Sequence, residues 1–183
     1  MHTTKNIALQ LNLFAAFCLF TLSLFAQPTT FESKGICGGG ATTQPSISPF
    51  NDQLYYITSD MSPVLRSENA GADWSPIPHY ELMGKGQHTR VEFTSDPNIL
   101  YSFGYTGYPN PHEPKKSIDG GITWNVLPTD PTNGNVWQLF ADPTSTQRIL
   151  LTDYSKAYIS VDGGNTFSTI ITSSSSVYIG GVF

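Results

Sequence analysis

The chain has 183 residues, a formal charge of −5, 13% charged and 13% aromatic side chains, 16 glycines and 13 prolines. That balance describes a turn-rich β protein presenting rings rather than charges, and its scattered Lys and Arg residues give no basic stripe for phosphates, which excludes nucleic acid as a partner. Beyond residue 26 no long stretch carries apolar residues at helical spacing, so the fold class expected is all-β.

Residues 1–26 read as an export signal. Lys5 supplies the positive start, Ile7 to Phe25 is mostly apolar, and Ala26 offers a small residue for cleavage before Gln27. A secreted or periplasmic location follows as the expectation. Gln10 and Asn12 interrupt the apolar run, leaving it short of the roughly 20 residues of a membrane span, so no stable membrane anchor is expected. Phe17 precedes Cys18 where a lipid-attachment signal needs a small residue. Cleavage would leave Cys37 as the sole cysteine, unable to form an internal disulfide and without Cys or His neighbours at zinc spacing. His79, His88 and His112 are scattered over expected loops, so no metal or other cofactor is expected. Residues 27–40 form a Gly-rich lead-in ending in Gly38-Gly39-Gly40.

From residue 41 the chain repeats. Three units begin at Ser67, Ser117 and Ser160: Ser67-Glu68-Asn69-Ala70-Gly71-Ala72-Asp73-Trp74, Ser117-Ile118-Asp119-Gly120-Gly121-Ile122-Thr123-Trp124 and Ser160-Val161-Asp162-Gly163-Gly164-Asn165-Thr166-Phe167. Their period of roughly 43 to 50 residues suits one four-stranded propeller blade. Pro49, Asp96-Pro97 and Asp142-Pro143 keep the same phase. The blades expected are 41–78, 88–127 and 136–171, with a fourth opening at Val177 and Ser173 to Ser176 as a flexible connection. In the second blade the strands expected are His88 to Ser95, Ile99 to Gly104, Lys115 to Ile118 and Thr123 to Leu127. Three blades and a start cannot close a ring of ~4–8, so an incomplete ring is expected, its remaining blades missing from this chain.

The eight-residue units resemble the Asp-box, S-x-D-x-G-x-[TS]-[WF], of sialidases, xyloglucan-hydrolysing glycosidases and sortilin-type receptor domains. Its chemistry is that of a hairpin. Asp119 and Asp162 can accept backbone N–H groups across the turn, the glycines can take positive φ, and Trp124 and Phe167 can pack between strands. Short polar side chains in turns serve their own backbone, so Ser67, Asn69, Gly71, Trp74, Ser117, Asp119, Gly121, Thr123, Trp124, Ser160, Asp162, Gly164, Thr166 and Phe167 are assigned a structural role. The first copy, with Ala70 for glycine and Asp73 for threonine, is expected to be looser. A sialidase needs an arginine cluster and an R-I-P segment; only Arg66, Arg90 and Arg148 are present, and none begins R-I-P.

Up-and-down strands alternate their connections between two faces. The Asp-box turns must share a face with the Asp-Pro turns, which leaves Asp60, Tyr105 to His112, Asp153, Tyr154 and the inter-blade residues His79-Tyr80-Glu81, His88 and Asp130 to Asn135 on the opposite, ligand-facing side. Ser59-Asp60-Met61-Ser62-Pro63-Val64-Leu65-Arg66 resembles the T-D-V-G-G-x-Y-R segment of the two-propeller glycoside hydrolases of family seventy-four, and the resemblance implies that Asp60 stands where that family has its catalytic base. Ser62-Pro63 replaces the paired glycines, Leu65 the aromatic and Ser59 the threonine. An inverting pair also needs a second carboxylate ~6.5–9.5 Å away, which in that family lies on a second propeller. Tyr105, Tyr108, His112, Asp153 and Tyr154 are the candidate substrate-binding residues, since flat rings stack on sugars. The parent protein implied hydrolyses or binds a polysaccharide of the xyloglucan or β-glucan type. The alternative is a noncatalytic sortilin-like propeller that captures a glycan or peptide on the same face.

Overall fold

A computed structural model describes residues 40–61, 63–84, 86, 88–107 and 111–174. The expected leader, most of the lead-in, Tyr108 and the expected start of a fourth blade lie outside the described residues.

Twelve strands build three four-stranded antiparallel sheets, each in plain sequential order. The first holds β1 (Thr42–Ile47), β2 (Tyr55–Ser59), β3 (Leu65–Ser67) and β4 (Ser75–Pro76). The second holds β5 (Glu92–Phe93), β6 (Leu100–Tyr105), β7 (His112–Ser117) and β8 (Asn125–Val126). The third holds β9 (Gln138–Ala141), β10 (Ile149–Thr152), β11 (Lys156–Ser160) and β12 (Ser168–Thr172). These are the meandering blades of a β-propeller.

Each blade turns from its first to its second strand on a short polar side chain. The Asn51, Asp96 and Asp142 carboxamide or carboxylate oxygens accept the N–H groups of Gln53, Asn98 and Thr144 at 3.0, 2.8 and 2.8 Å, closing turns that the hydrophobic run cannot continue through. β4 and β8 are two residues long, and Pro76 has no N–H to offer a neighbour, so these outer strands present little pairing edge. In β1 the register slips between Thr43 and Ser46, where Gln44 takes φ +53° beside Pro45.

Two cores lie between successive blades. Tyr56, Val64 and Ile77 of the first blade meet Val91, Leu100 and Trp124 of the second, with Leu82 from the connection between them. Tyr101, Phe103 and Leu127 of the second meet Val136, Leu139, Ile149, Leu151 and Tyr158 of the third. Full burial of each such side chain contributes roughly 1.5–3 kcal/mol against an exposed reference. The interface chemistry also repeats: the Tyr56 hydroxyl donates to Gly120 O at 3.1 Å, and the Tyr101 hydroxyl to Thr146 O at 2.8 Å, so each tyrosine on a second strand is pinned to the next blade.

Two expectations are adjusted. The expected strand His88 to Ser95 pairs only at Glu92–Phe93, because the chain before it is occupied in crossing from the previous blade. The expected loop Tyr105 to His112 is shorter, since Tyr105 and His112 pair as the last rung of β6 and β7.

Candidate functional site

The three repeated turns at 67–74, 117–124 and 160–167, read above as resembling Asp-boxes and called boxes below, lie on the face of the turns between first and second strands, and backbone bonds join the two sets. Ala70, Gly120 and Gly163 donate N–H to Gln53 O, Asn98 O and Gln147 O at 3.0, 3.0 and 2.8 Å. Within the second box, Ser117 Oγ donates to Asp119 Oδ1 at 2.8 Å and accepts the Gly121 N–H at 2.8 Å. Asp119 Oδ1 accepts the N–H groups of Ile122 and Thr123 at 3.1 and 3.0 Å, and its Oδ2 accepts the Thr123 hydroxyl at 2.6 Å. Ser160, Asp162, Gly164 and Thr166 repeat the pattern. Burial alone would raise the Asp119 carboxyl, but the bonds from Thr123, Ser117 and Ile122 outweigh it and hold it at about 2. Asp162 is held at about 2, chiefly by the Thr166 hydroxyl and N–H.

The first box is bonded as fully as the others, contrary to the looser turn expected. Asn69 Oδ1 accepts the Asp73 N–H at 2.8 Å, and Asn69 Nδ2 donates to Asp73 Oδ2 at 2.9 Å, so the acceptor and donor roles have simply changed places. Ala70 tolerates φ +55° in place of glycine. The second glycine of a box has less freedom: a Cβ on Gly121, at φ +87°, would lie 2.2 Å from Tyr56 Oη of the preceding blade. Trp74 and Trp124 each donate indole N–H to the box's own Gly71 or Gly121 carbonyl at 3.1 Å; Trp124 is buried, while Phe167 is half-buried. A cleft of about 540 Å³ opens between the first and second boxes beside Arg66, Asn69, Asp73 and Ile122, but Asn69 and Asp73 are already bonded to each other.

On the opposite face, strand register defines equivalent positions. The box serines Ser67, Ser117 and Ser160 pair with Tyr55, Leu100 and Ile149. Counting the same distance onward from each reaches Asp60, Tyr105 and Tyr154, and all three are exposed. Asp60 Oδ1 accepts the Ala41 N–H at 2.8 Å while the Asp60 N–H donates to Ala41 O at 3.1 Å, which clamps the start of β1. Tyr105 meets the edge of His112 at 5.9 Å, its ring 43% exposed. Tyr154, 46% exposed, has its ring centroid 4.1 Å from that of Trp137, which also lies 3.8 Å from the His88 ring.

Asp153 plays a different part from the rings. Its Oδ1 accepts N–H groups from Ser155 and Lys156, both at 2.7 Å, and its Oδ2 the Tyr158 hydroxyl at 2.9 Å. Partial burial would raise the carboxyl, yet these bonds hold it below its ordinary value. Both oxygens are thus engaged in closing the β10 to β11 turn.

Sequence reasoning put His88 on this face but passed over Leu82, Met83, Gly84 and Gly86, the described residues of the strap that leads to it. Tyr105 N–H donates to Met83 O at 2.9 Å; a Cβ on Gly84 would lie 2.6 Å from Thr58 Cγ2; one on Gly86 would lie 3.9 Å from Asp60 Cβ; and His88 stacks on Trp137. The only sequence signal was the pair Gly84 and Gly86, the kind of residue a close backbone approach requires. Beside the strap a cleft of about 590 Å³ is lined by His79, Tyr80, Met83, Tyr105, Lys115 and Trp124. Lys115 is buried, its Nζ donates to the carbonyls of Glu81 and Tyr80, and burial lowers its pKa despite Glu81 and Glu113 nearby. Among the described residues no group of three His, Cys, Asp or Glu side chains could hold a metal ion.

Solved β-propellers resemble this chain. The GH74 enzyme of Niastella koreensis matches with a TM-score of 0.52 and 20% identity, over 72% of this chain and 23% of that one. The GH74 xyloglucanase from Xanthomonas campestris matches with a TM-score of 0.54 and 21% identity, over 77% of this chain and 22% of that one. YCF48 from Cyanidioschyzon merolae matches with a TM-score of 0.54 and 16% identity, over 75% of this chain and 39% of that one. The chain therefore spans well under half of each. No protein-family model and no curated protein matches it. At these identities the likeness establishes the fold alone: an all-β propeller built of four-stranded blades.

Proposed function

We propose that the face bearing Asp60, Tyr105 and Tyr154 binds a polysaccharide, and that Asp60 is the general base of a glycoside-hydrolase site completed by a second carboxylate outside the described residues. The observation that carries this reading is the equivalence of the three positions. Successive blades present a carboxylate, then a ring, then a ring at one point of the repeat, all exposed. A linear glycan laid across the blades would meet stacking surfaces spaced by the blade repeat, with Asp60 at one end. His112 at the edge of Tyr105 belongs to the same surface, and Tyr108 is assigned to it from the sequence. Solved GH74 neighbours, one of them a xyloglucanase, support a β-glucan-type polymer as the first class to try.

The test is hydrolysis and binding of soluble β-glucans by a full-length protein that carries the second carboxylate, and by its Asp60→Asn variant. Loss of hydrolysis with retained binding is expected of a general base; equal hydrolysis by both proteins removes Asp60 from the mechanism.

A second reading rests on the Asp60 to Ala41 clamp. A carboxylate already accepting a backbone N–H at 2.8 Å serves as a structural cap, and the surface is then a noncatalytic capture face for a glycan or a peptide. Among the structural neighbours is a YCF48 bound to the D1 peptide. Binding without turnover, lost on Tyr105→Ala and Tyr154→Ala, separates this reading from the enzymatic one.

A further inference from the structure

We infer that Trp137, backed by His88, is the brace that makes Tyr154 a rigid stacking platform for an uncharged pyranose ring; the inference rests on the glycan-binding reading above. Two rings cannot share one side of an indole when both centroids stand within about 4 Å of its own, because carbon atoms approach no closer than roughly 3.5 Å. His88 at 3.8 Å and Tyr154 at 4.1 Å, tilted by 40° and 38°, therefore flank Trp137 on opposite faces. Of the three rings Tyr154 is the exposed one, with 46% of its surface accessible to a ligand.

The backbone beneath the stack is fixed on both sides of the tyrosine. The Trp137 backbone N–H donates to Thr152 O at 2.7 Å, tying the backbone that carries the indole to the strand that leads into Tyr154. Asp153, the residue before Tyr154, is anchored by Tyr158, Ser155 and Lys156. A ring held in this way loses little freedom on binding, so less of the stacking energy is spent on ordering it. The stack also spans three separate pieces of chain: the strap after the first blade, the approach to β9 and the turn after β10. At the equivalent position of the second blade, Tyr105 instead meets the edge of His112 at 5.9 Å.

The chemistry of the surroundings selects the sugar. An aromatic face attracts the C–H-lined face of a pyranose, whereas Asp153 beside Tyr154, and Asp60 at the equivalent position of the first blade, disfavour a uronic acid. Trp137 and His88 are positioning residues: the contact with sugar is made by Tyr154.

The test uses the full chain with two probes, a soluble β-linked gluco-oligosaccharide and an oligogalacturonate, and measures dissociation constants by calorimetry with tryptophan emission alongside. The gluco-oligosaccharide should bind and the oligogalacturonate should not. Tyr154→Leu and Trp137→Leu should each weaken binding by about tenfold, Trp137→Phe should recover most of that loss, and the double leucine variant should be no worse than either single one. Tyr154 is exposed, so its variant folds whatever happens to Trp137. Equal affinity of Trp137→Leu and the unaltered chain, or an additive loss in the double variant, overturns the brace while leaving the glycan reading standing. Tighter binding of oligogalacturonate overturns the choice of sugar. Failure of the unaltered chain to bind either probe overturns both readings together.

Discussion

The two faces of the blades obey opposite rules. On the Asp-box face the same residue types recur and their polar atoms are consumed within each turn, Ser117 to Asp119 to Thr123 in one blade and Ser160 to Asp162 to Thr166 in another. On the other face, equivalent positions hold Asp60, Tyr105 and Tyr154, which differ in chemistry and stand exposed. Repetition is what a fold needs from its turns, whereas the other face varies from blade to blade, with Asp60 serving its backbone by accepting the Ala41 N–H. The contrast predicts that changes on the first face alter stability and changes on the second alter binding.

The largest effect is expected at Trp124, which is 4% exposed in the core between the first and second blades. Trp124→Ala should cost roughly 3–5 kcal/mol, read as a fall in the denaturant midpoint. Glu92 comes next. Burial between the second and third sheets raises its carboxyl to about 7, against the opposing pull of Arg90, whose Nε lies 3.3 Å away, and of the Ala141 N–H. A carboxyl whose folded pKa is raised contributes its stability below the unfolded value of 4.5 and loses it as pH climbs through about 7. The chain should therefore weaken over that window by on the order of 3 kcal/mol at most, and Glu92→Gln should flatten the profile. A profile unchanged by Glu92→Gln would place the titration elsewhere.

Smaller still is Gly121→Ala, which forces a Cβ against Tyr56 Oη at a positive φ; about 1–3 kcal/mol is expected, with the first and second blades separating more readily. Asp119→Ala removes acceptors from a surface turn and should cost about 1 kcal/mol in the same midpoint. Asp119 and Asp162 have depressed folded values, so their contribution is present above 3.8 and disappears as pH falls through about 2. Asp60→Asn keeps an acceptor for Ala41 and should move the midpoint by less than about 0.5 kcal/mol.

What could be read in the sequence follows the same division. The box turns were legible because a hairpin demands positive φ and short polar acceptors at fixed offsets, and those demands leave a local signature at Asp119-Gly120-Gly121 and Asp162-Gly163-Gly164. The exchange of roles between Asn69 and Asp73 was not, since it depends on two side chains meeting across the turn. Tyr105 and Tyr154 could be placed by strand parity alone. Parity also put His88 there, but not its contact with Trp137: the two residues are far apart in sequence, and only the packing of blades brings their rings to 3.8 Å. Trp137 falls at the start of the expected blade 136–171, whereas β9 begins one residue later, at Gln138.

The division of labour between the faces is tested most directly by measuring denaturant midpoint and gluco-oligosaccharide affinity together in Asp119→Ala and Tyr154→Ala. The account predicts a lowered midpoint with unchanged affinity for Asp119→Ala, and an unchanged midpoint with affinity reduced about tenfold for Tyr154→Ala. Loss of affinity in Asp119→Ala at an unchanged midpoint would make the Asp-box the ligand site and reverse the assignment of the two faces.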